Sequence, residues 1–154
     1  MFWGKPKKEK KKNEKIINAV FGELELIDGY LWEGDSVSSL FGEENTIDLS
    51  VYVNEDEKII EEDQEKAYLN YIRSQKEIDE AIRNVIIKEF ELSNDFDLSS
   101  RFKASSIIVT VNGSCGIAIN DNALDSDSSN YTFVVDTEPG HELTETVQYY
   151  LYTK

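Results

Sequence analysis

The sequence predicts an α+β domain: strands, then a helical middle, then strands again, joined mostly by short turns. Three observations carry this. Ile47, Leu49, Val51 and Val53 alternate with Asp48, Ser50 and Tyr52, the period of a strand with one buried and one wet face. Residues 61–91 hold neither Gly nor Pro, and their apolar positions form a helical stripe. Asp28-Gly29 and Asn112-Gly113 mark turns between apolar runs. The expected architecture is an antiparallel sheet of three N-terminal and about four C-terminal strands. One kinked or two consecutive central helices pack on one face of it.

Each element follows from its own residues. MFWGKPKKEKKKNEK, residues 1–15, has no periodic apolar face and reads as a disordered basic tail, leaving 16–154 as a single domain. The stretch 20-VFGELELIDGYLWEG-34 reads as a hairpin, with Phe21–Ile27 and Tyr30–Gly34 as its strands. Asp28-Gly29 is the two-residue turn between them, because Gly tolerates the positive φ that a tight hairpin demands. Tyr30 and Trp32, two apart, are then expected on one face and packed against neighbours. Leu40-Phe41-Gly42 leads through a polar turn into the third strand, Thr46–Val53.

In the helical region the stripe runs through Ala67, Tyr68, Tyr71 and Ile72, then Ile78, Ala81, Ile82, Val85, Ile86 and Phe90. Ser74 followed by Glu77 has capping-box spacing, so a break is expected near Ser74. The C-terminal strands are placed at Ser105–Val111, Gly116–Asn120, Tyr131–Asp136 and Leu143–Tyr152. A Glu138-Pro139-Gly140 turn precedes the last of them, whose aromatic run suits an edge that pairs with another chain.

Length and composition set the outer bounds. A chain of 154 residues with 40% apolar content buries a core of its own. It has no apolar run of about 18 residues, the length a spanning helix requires. One cysteine, Cys115, forms no internal disulfide and fits a reducing, cytoplasmic setting. Net charge is −15, distributed unevenly: residues 1–15 hold seven Lys and two Glu, a balance of +5, so the remainder carries −20. A body that negative disfavours nucleic acid and attracts basic partners at long range. The tail serves solubility, touches an anionic surface weakly with Phe2 and Trp3, or folds back on the acidic body.

Little in the sequence forms a constellation for catalysis. Nucleophilic chemistry needs a base beside the nucleophile, and Cys115 with His141 is the one pairing available. Nothing in the spacing demands that the two meet, and a semi-buried thiol and a turn histidine are the ordinary reading. One Cys and one His do not make a transition-metal site. Asp125, Asp127, Ser129 and Asp136 echo a calcium loop, but Asn130 stands where the turn Gly belongs and the segment runs into a strand. Neither a GxxxxGK[ST] nor a GxGxxG phosphate loop is present, and no cofactor is expected.

The acidic segment 55-EDEKIIEEDQE-65 is the feature that suits recognition. Glu55, Asp56, Glu57, Glu61, Glu62 and Asp63 make a candidate docking patch that steers toward a basic protein. Carboxylates in a first helical turn also complement the helix dipole, which accounts for some of them structurally.

VFGELELIDGYLWEG, LFGEENTIDLSVYVNEDEKI and DQEKAYLNYIRSQKEIDEAI together resemble a group of small bacterial proteins known only as domains of unknown function. The likeness spans residues 20–90 and rests on a Phe-Gly opening, a Trp-x-Gly strand, an alternating strand and a helix opening with an acidic residue, Gln and Ala-Tyr. Members have no established catalytic residues, and their relatives resemble immunity proteins of toxin systems. The resemblance therefore implies a non-enzymatic inhibitor of a basic toxin. A structural adaptor held at an anionic surface by the Lys-rich tail is the alternative.

Overall fold

The computed structural model describes residues 13–123, 131–135 and 147–151. The basic residues 1–12, the calcium-like positions Asp125, Asp127, Ser129 and Asp136, the Pro139-Gly140 turn and His141 lie outside them.

Eight strands form one sheet among the described residues, ordered as they occur in the chain. They are β1 (Lys15–Asn18), β2 (Gly22–Ile27), β3 (Leu31–Ser38), β4 (Asn45–Tyr52), β5 (Phe102–Val109), β6 (Cys115–Asp121), β7 (Tyr131–Val135) and β8 (Val147–Leu151). Between β4 and β5 run two helices, α1 (Glu62–Arg73) and α2 (Gln75–Glu89). The α+β class is as expected.

Two details of the sheet differ from expectation. The sheet is mixed: β4 and β5 are parallel, whereas every other neighbouring pair is antiparallel. The helices carry the chain back across the sheet, so β5 starts from the same end as β4, as a crossover between parallel neighbours requires. The N-terminal half also has a fourth strand, β1. Its motif is the four residues KIIN, too short to show a period, and Ile17 is 88% exposed on this edge. Asn18 Oδ1 accepts from the Val20 and Phe21 N–H groups at 2.7 and 2.9 Å, which turns the chain from β1 into β2.

The hairpin at residues 20–34 forms with a loop one residue longer than expected. Ile27 pairs with Leu31, leaving Asp28, Gly29 and Tyr30 in the turn, with Asp28 and Gly29 both at positive φ. Tyr30 is thereby taken out of the strand, and it parts from Trp32. Trp32 is buried, and its Nε1 donates to the Lys58 carbonyl at 3.1 Å. Tyr30, 43% exposed, stacks on Tyr52 with centroids 6.4 Å apart.

Leu24, Leu26, Trp32, Leu49, Val51, Ile107, Val109, Ile117 and Phe133 supply the inner face of the sheet. Ala67, Tyr71, Ile78, Ile82 and Ile86 close over it in the same cluster. The helical stripe therefore packs as its period implies. The break falls at Ser74, as expected, but its hydroxyl makes no capping bond there. The capping arrangement lies instead at the start of α1, where Gln64 Oε1 accepts from the Glu61 N–H at 2.9 Å.

Side chains shrink along the inward positions of β3, from Trp32 to Gly34, Ser36 and Ser38. A Cβ on Gly34 would meet the Glu23 carbonyl oxygen and Leu24 Cδ2, each at 2.8 Å. Tyr68 of α1 reaches this thin region, sharing a 2.7 Å hydrogen bond with Ser36 Oγ and packing on Phe21.

Candidate functional site

The outer face of the sheet has two unlike halves. Under strand alternation the outward residues of β5 and β6 are Lys103, Ser106 and Ile108, with Gly116, Ala118 and Asn120. Across β2, β3 and β4 the outward positions bear carboxylates: Glu23, Glu25, Glu33, Asp35 and Asp48. Glu33, Asp35 and Asp48 are exposed. Sheet register brings like charges directly opposite, Glu25 with Glu33 and Asp35 with Asp48. Such pairs destabilise a sheet, where an opposite-charge pair would contribute roughly 0.2–1 kcal/mol. Among the described residues the ion pairs are Lys66–Glu62, Arg101–Asp121 and Lys103–Glu43, and none neutralises this array.

Lys15 of β1 stands opposite Glu25 in register. Lys15, Glu23, Leu24, Glu25, Glu33 and Asp35 line a shallow groove of about 270 Å³. One row further toward the hairpin end lie Ile27, Leu31 and Tyr52, partly exposed, with Tyr30 stacked on Tyr52. An aromatic strip beside charge is the composition of a recognition surface, since Tyr supplies contact area at low entropic cost.

Glu55, Asp56 and Glu57, expected as partner contacts, sit in an exposed turn just beyond Tyr52. The Asn54 carbonyl accepts from the Glu57 and Lys58 N–H groups at 3.2 and 2.8 Å, and Trp32 pins the same turn through Lys58. The other three expected contacts are exposed too, but each has structural work. Glu61 is the N-cap of α1, Glu62 pairs with Lys66 at 3.1 Å, and Asp63 packs against Gly113 of the β5–β6 turn. The strip Ile27–Leu31–Tyr52 thus lies beside the sheet carboxylates, and Glu55–Glu57 follow Tyr52 in the chain. Sequence reading missed Glu25, Glu33, Asp35 and Asp48 because they are scattered in the chain and meet only through strand register. Their alternation with apolar residues was the available signal.

A second, wider cleft of about 650 Å³ opens where α1 meets α2 beside β3, lined by Asp35, Val37 and Glu44 and by Arg73 and Lys76. Gln75 closes part of the strand edge there. Its Oε1 accepts from the Ser39 N–H at 3.1 Å and its Nε2 donates to the Val37 carbonyl at 3.1 Å, the pattern a neighbouring strand would make.

No family model, curated protein or solved structure matches the chain.

Chemically, Cys115 is the named nucleophile, and it lies on the inner face of β6 with no exposed surface. Burial drives its thiol well above the usual range, so the thiolate is strongly disfavoured there. Among the described residues no group of three or more His, Cys, Asp and Glu side chains converges as metal ligands would. No helix among them is long and apolar enough to cross a membrane.

Proposed function

We propose that this chain is an acidic binding protein whose outer sheet face receives a basic protein surface, most concretely as an inhibitor that covers the basic cleft of a toxin. The carrying observation is the two like-charge register pairs, Glu25 with Glu33 and Asp35 with Asp48, on the outward face of β2–β4. Folding gains nothing from them, whereas a basic partner neutralises both. Tyr30, Leu31 and Tyr52 supply the apolar centre of the interface, and Glu55, Asp56 and Glu57 extend its acidic rim. Further support comes from the −20 carried by residues 16–154, which speeds encounter with a basic surface.

The test is a variant carrying Glu33→Gln, Asp35→Asn and Asp48→Asn. It is expected to unfold at higher urea than the parent, by about 0.5–1 kcal/mol in stability, because the like-charge contacts are gone. It is also expected to lose at least about tenfold in affinity for a basic partner captured by the parent, with the parent's own binding weakening as salt rises. Undiminished binding by the neutralised variant would sink the proposal.

A further inference from the structure

We infer that the cleft beside the end of β3 takes an extended segment of the partner as an added strand, with cations at alternate positions and apolar or acidic residues between them. Its outward charges rest on the reading of the outer face as a surface for basic partners; its backbone pairing does not. β2 and β3 are in register only from Leu31 to Glu33, whereas β3 and β4 stay paired as far as Ser38. From Asp35 to Ser38 the register therefore gives β3 a strand neighbour on its β4 side alone. The Val53 N–H donates to the Tyr30 carbonyl at 2.9 Å, so alternation turns the even-numbered residues of β3 toward β4 and the odd-numbered ones away from it. Val37 accordingly presents its backbone donor and acceptor to the cleft.

A side-chain amide already sits on that edge. Gln75 donates through Nε2 to the Val37 carbonyl and accepts through Oε1 from the Ser39 N–H, each at 3.1 Å, and Ser39 Oγ donates to the same oxygen at 2.7 Å. The N–H and C=O groups of an added strand make the same two main-chain bonds, so a peptide exchanges for Gln75 amide for amide. Gln75 thus guards the edge and yields to a strand that makes further contacts.

Charge sets the sequence of the occupant. The strand wall of the cleft bears Asp35 and Glu44 and the helix wall Arg73 and Lys76, all four exposed. Neither Arg73 nor Lys76 has an ion-pair partner among the described residues. Asp35 lies on the outward side of the sheet, beside Val37, which is 48% exposed, whereas the helices lie on the inner side. Side chains of an added strand alternate between these two sides. Outward positions meet Asp35 and suit Lys or Arg. The positions between them meet Arg73, Lys76 and the partly buried Ile72, and suit Glu or a β-branched residue.

The test titrates the full-length chain into a fluorescent peptide, Glu-Lys-Val-Lys-Val-Lys-Glu, which reads the same in both strand directions. The parent is expected to bind it, and Gln75→Ala to bind it at least about fivefold more tightly, because the edge groups are freed. A peptide of the same composition without alternation, Lys-Lys-Lys-Val-Val-Glu-Glu, is expected to bind at least about tenfold more weakly, as is the alternating peptide with its backbone amides N-methylated. Arg73→Gln with Lys76→Gln is expected to lose about tenfold for the alternating peptide. Affinity unchanged or lowered by Gln75→Ala, or undiminished by N-methylation or by the loss of Arg73 and Lys76, overturns the inference. Equal binding of the alternating and non-alternating peptides overturns it too, while leaving the basic-partner reading in place. Binding of neither peptide by either chain overturns the inference and counts against that reading as well.

Discussion

At Asp79, burial and hydrogen bonding pull in opposite directions. Its Oδ1 accepts from the Phe41 N–H at 2.8 Å, holding a short turn in which Phe41 and Gly42 both adopt positive φ. Partial burial raises its pKa and outweighs the Phe41 bond and the attraction of Arg83, while Glu80 adds a smaller push upward. A carboxyl group with a raised folded pKa favours folding most when protonated. Its contribution is complete below about pH 4 and is lost as pH rises through the raised value. Asp79→Asn retains an acceptor for Phe41 without the charge. The stability of that variant relative to the parent, followed by urea unfolding, is therefore expected to climb with pH above about 4 and then level off. A flat or falling difference would contradict the burial account. Phe41 and Asp79 lie far apart in the chain, so nothing local in the sequence announces the pair.

Among the elements, Gln64 does the joining. It is 1% exposed, and its Nε2 donates to the Tyr52 and Thr110 carbonyls at 2.6 and 2.9 Å, while its Oε1 takes the Glu61 N–H. Tyr52 ends β4 and Thr110 follows β5, so one side chain ties the parallel pair to the first turn of α1. Gln64→Leu keeps the bulk and removes all three bonds, including both that the amide donates to part-buried carbonyls. We expect a loss of about 3 kcal/mol in urea unfolding; a loss below about 1 kcal/mol would mean that water replaces the amide. The strands around this clamp were legible where alternation was long, as in β4, and where a turn pair bounded an apolar run. β1 was not, because four residues on an exposed edge carry almost no period. The start of β3 was misplaced by one residue because Asp28-Gly29 specifies positive φ at both positions but not whether the loop closes before or after Tyr30.

For the whole molecule, charge is the dominant long-range term. A net −15 repels itself, and the exposed pairs Lys66–Glu62 and Lys103–Glu43 contribute little against it. Among the described residues the pair Arg101–Asp121, with the carboxylate buried, is bidentate, its guanidinium 5.0 Å from both the Phe90 and Phe102 rings, and salt reaches it less. Raising sodium chloride from about 0.05 to 1 M shortens the screening length to about 3 Å. The melting temperature is therefore expected to rise by about 3 °C or more, the shift that about 1 kcal/mol produces at this length. A fall would show that attractive pairs, not self-repulsion, set the salt response.

The sequence alone determined the class of fold, the break between the helices, the buried stripe and the sign of the body's charge. Those properties are local or additive: periodicity, turn chemistry and net charge need no knowledge of which segments meet. Only the tertiary structure decided that β5 lies parallel to β4, that Tyr30 and Trp32 separate, and that Glu25, Glu33, Asp35 and Asp48 share one outward face. Each of these depends on register and crossover, where a one-residue change sends a side chain to the opposite face. The chain's composition made it acidic, and the register of its strands concentrated that acidity.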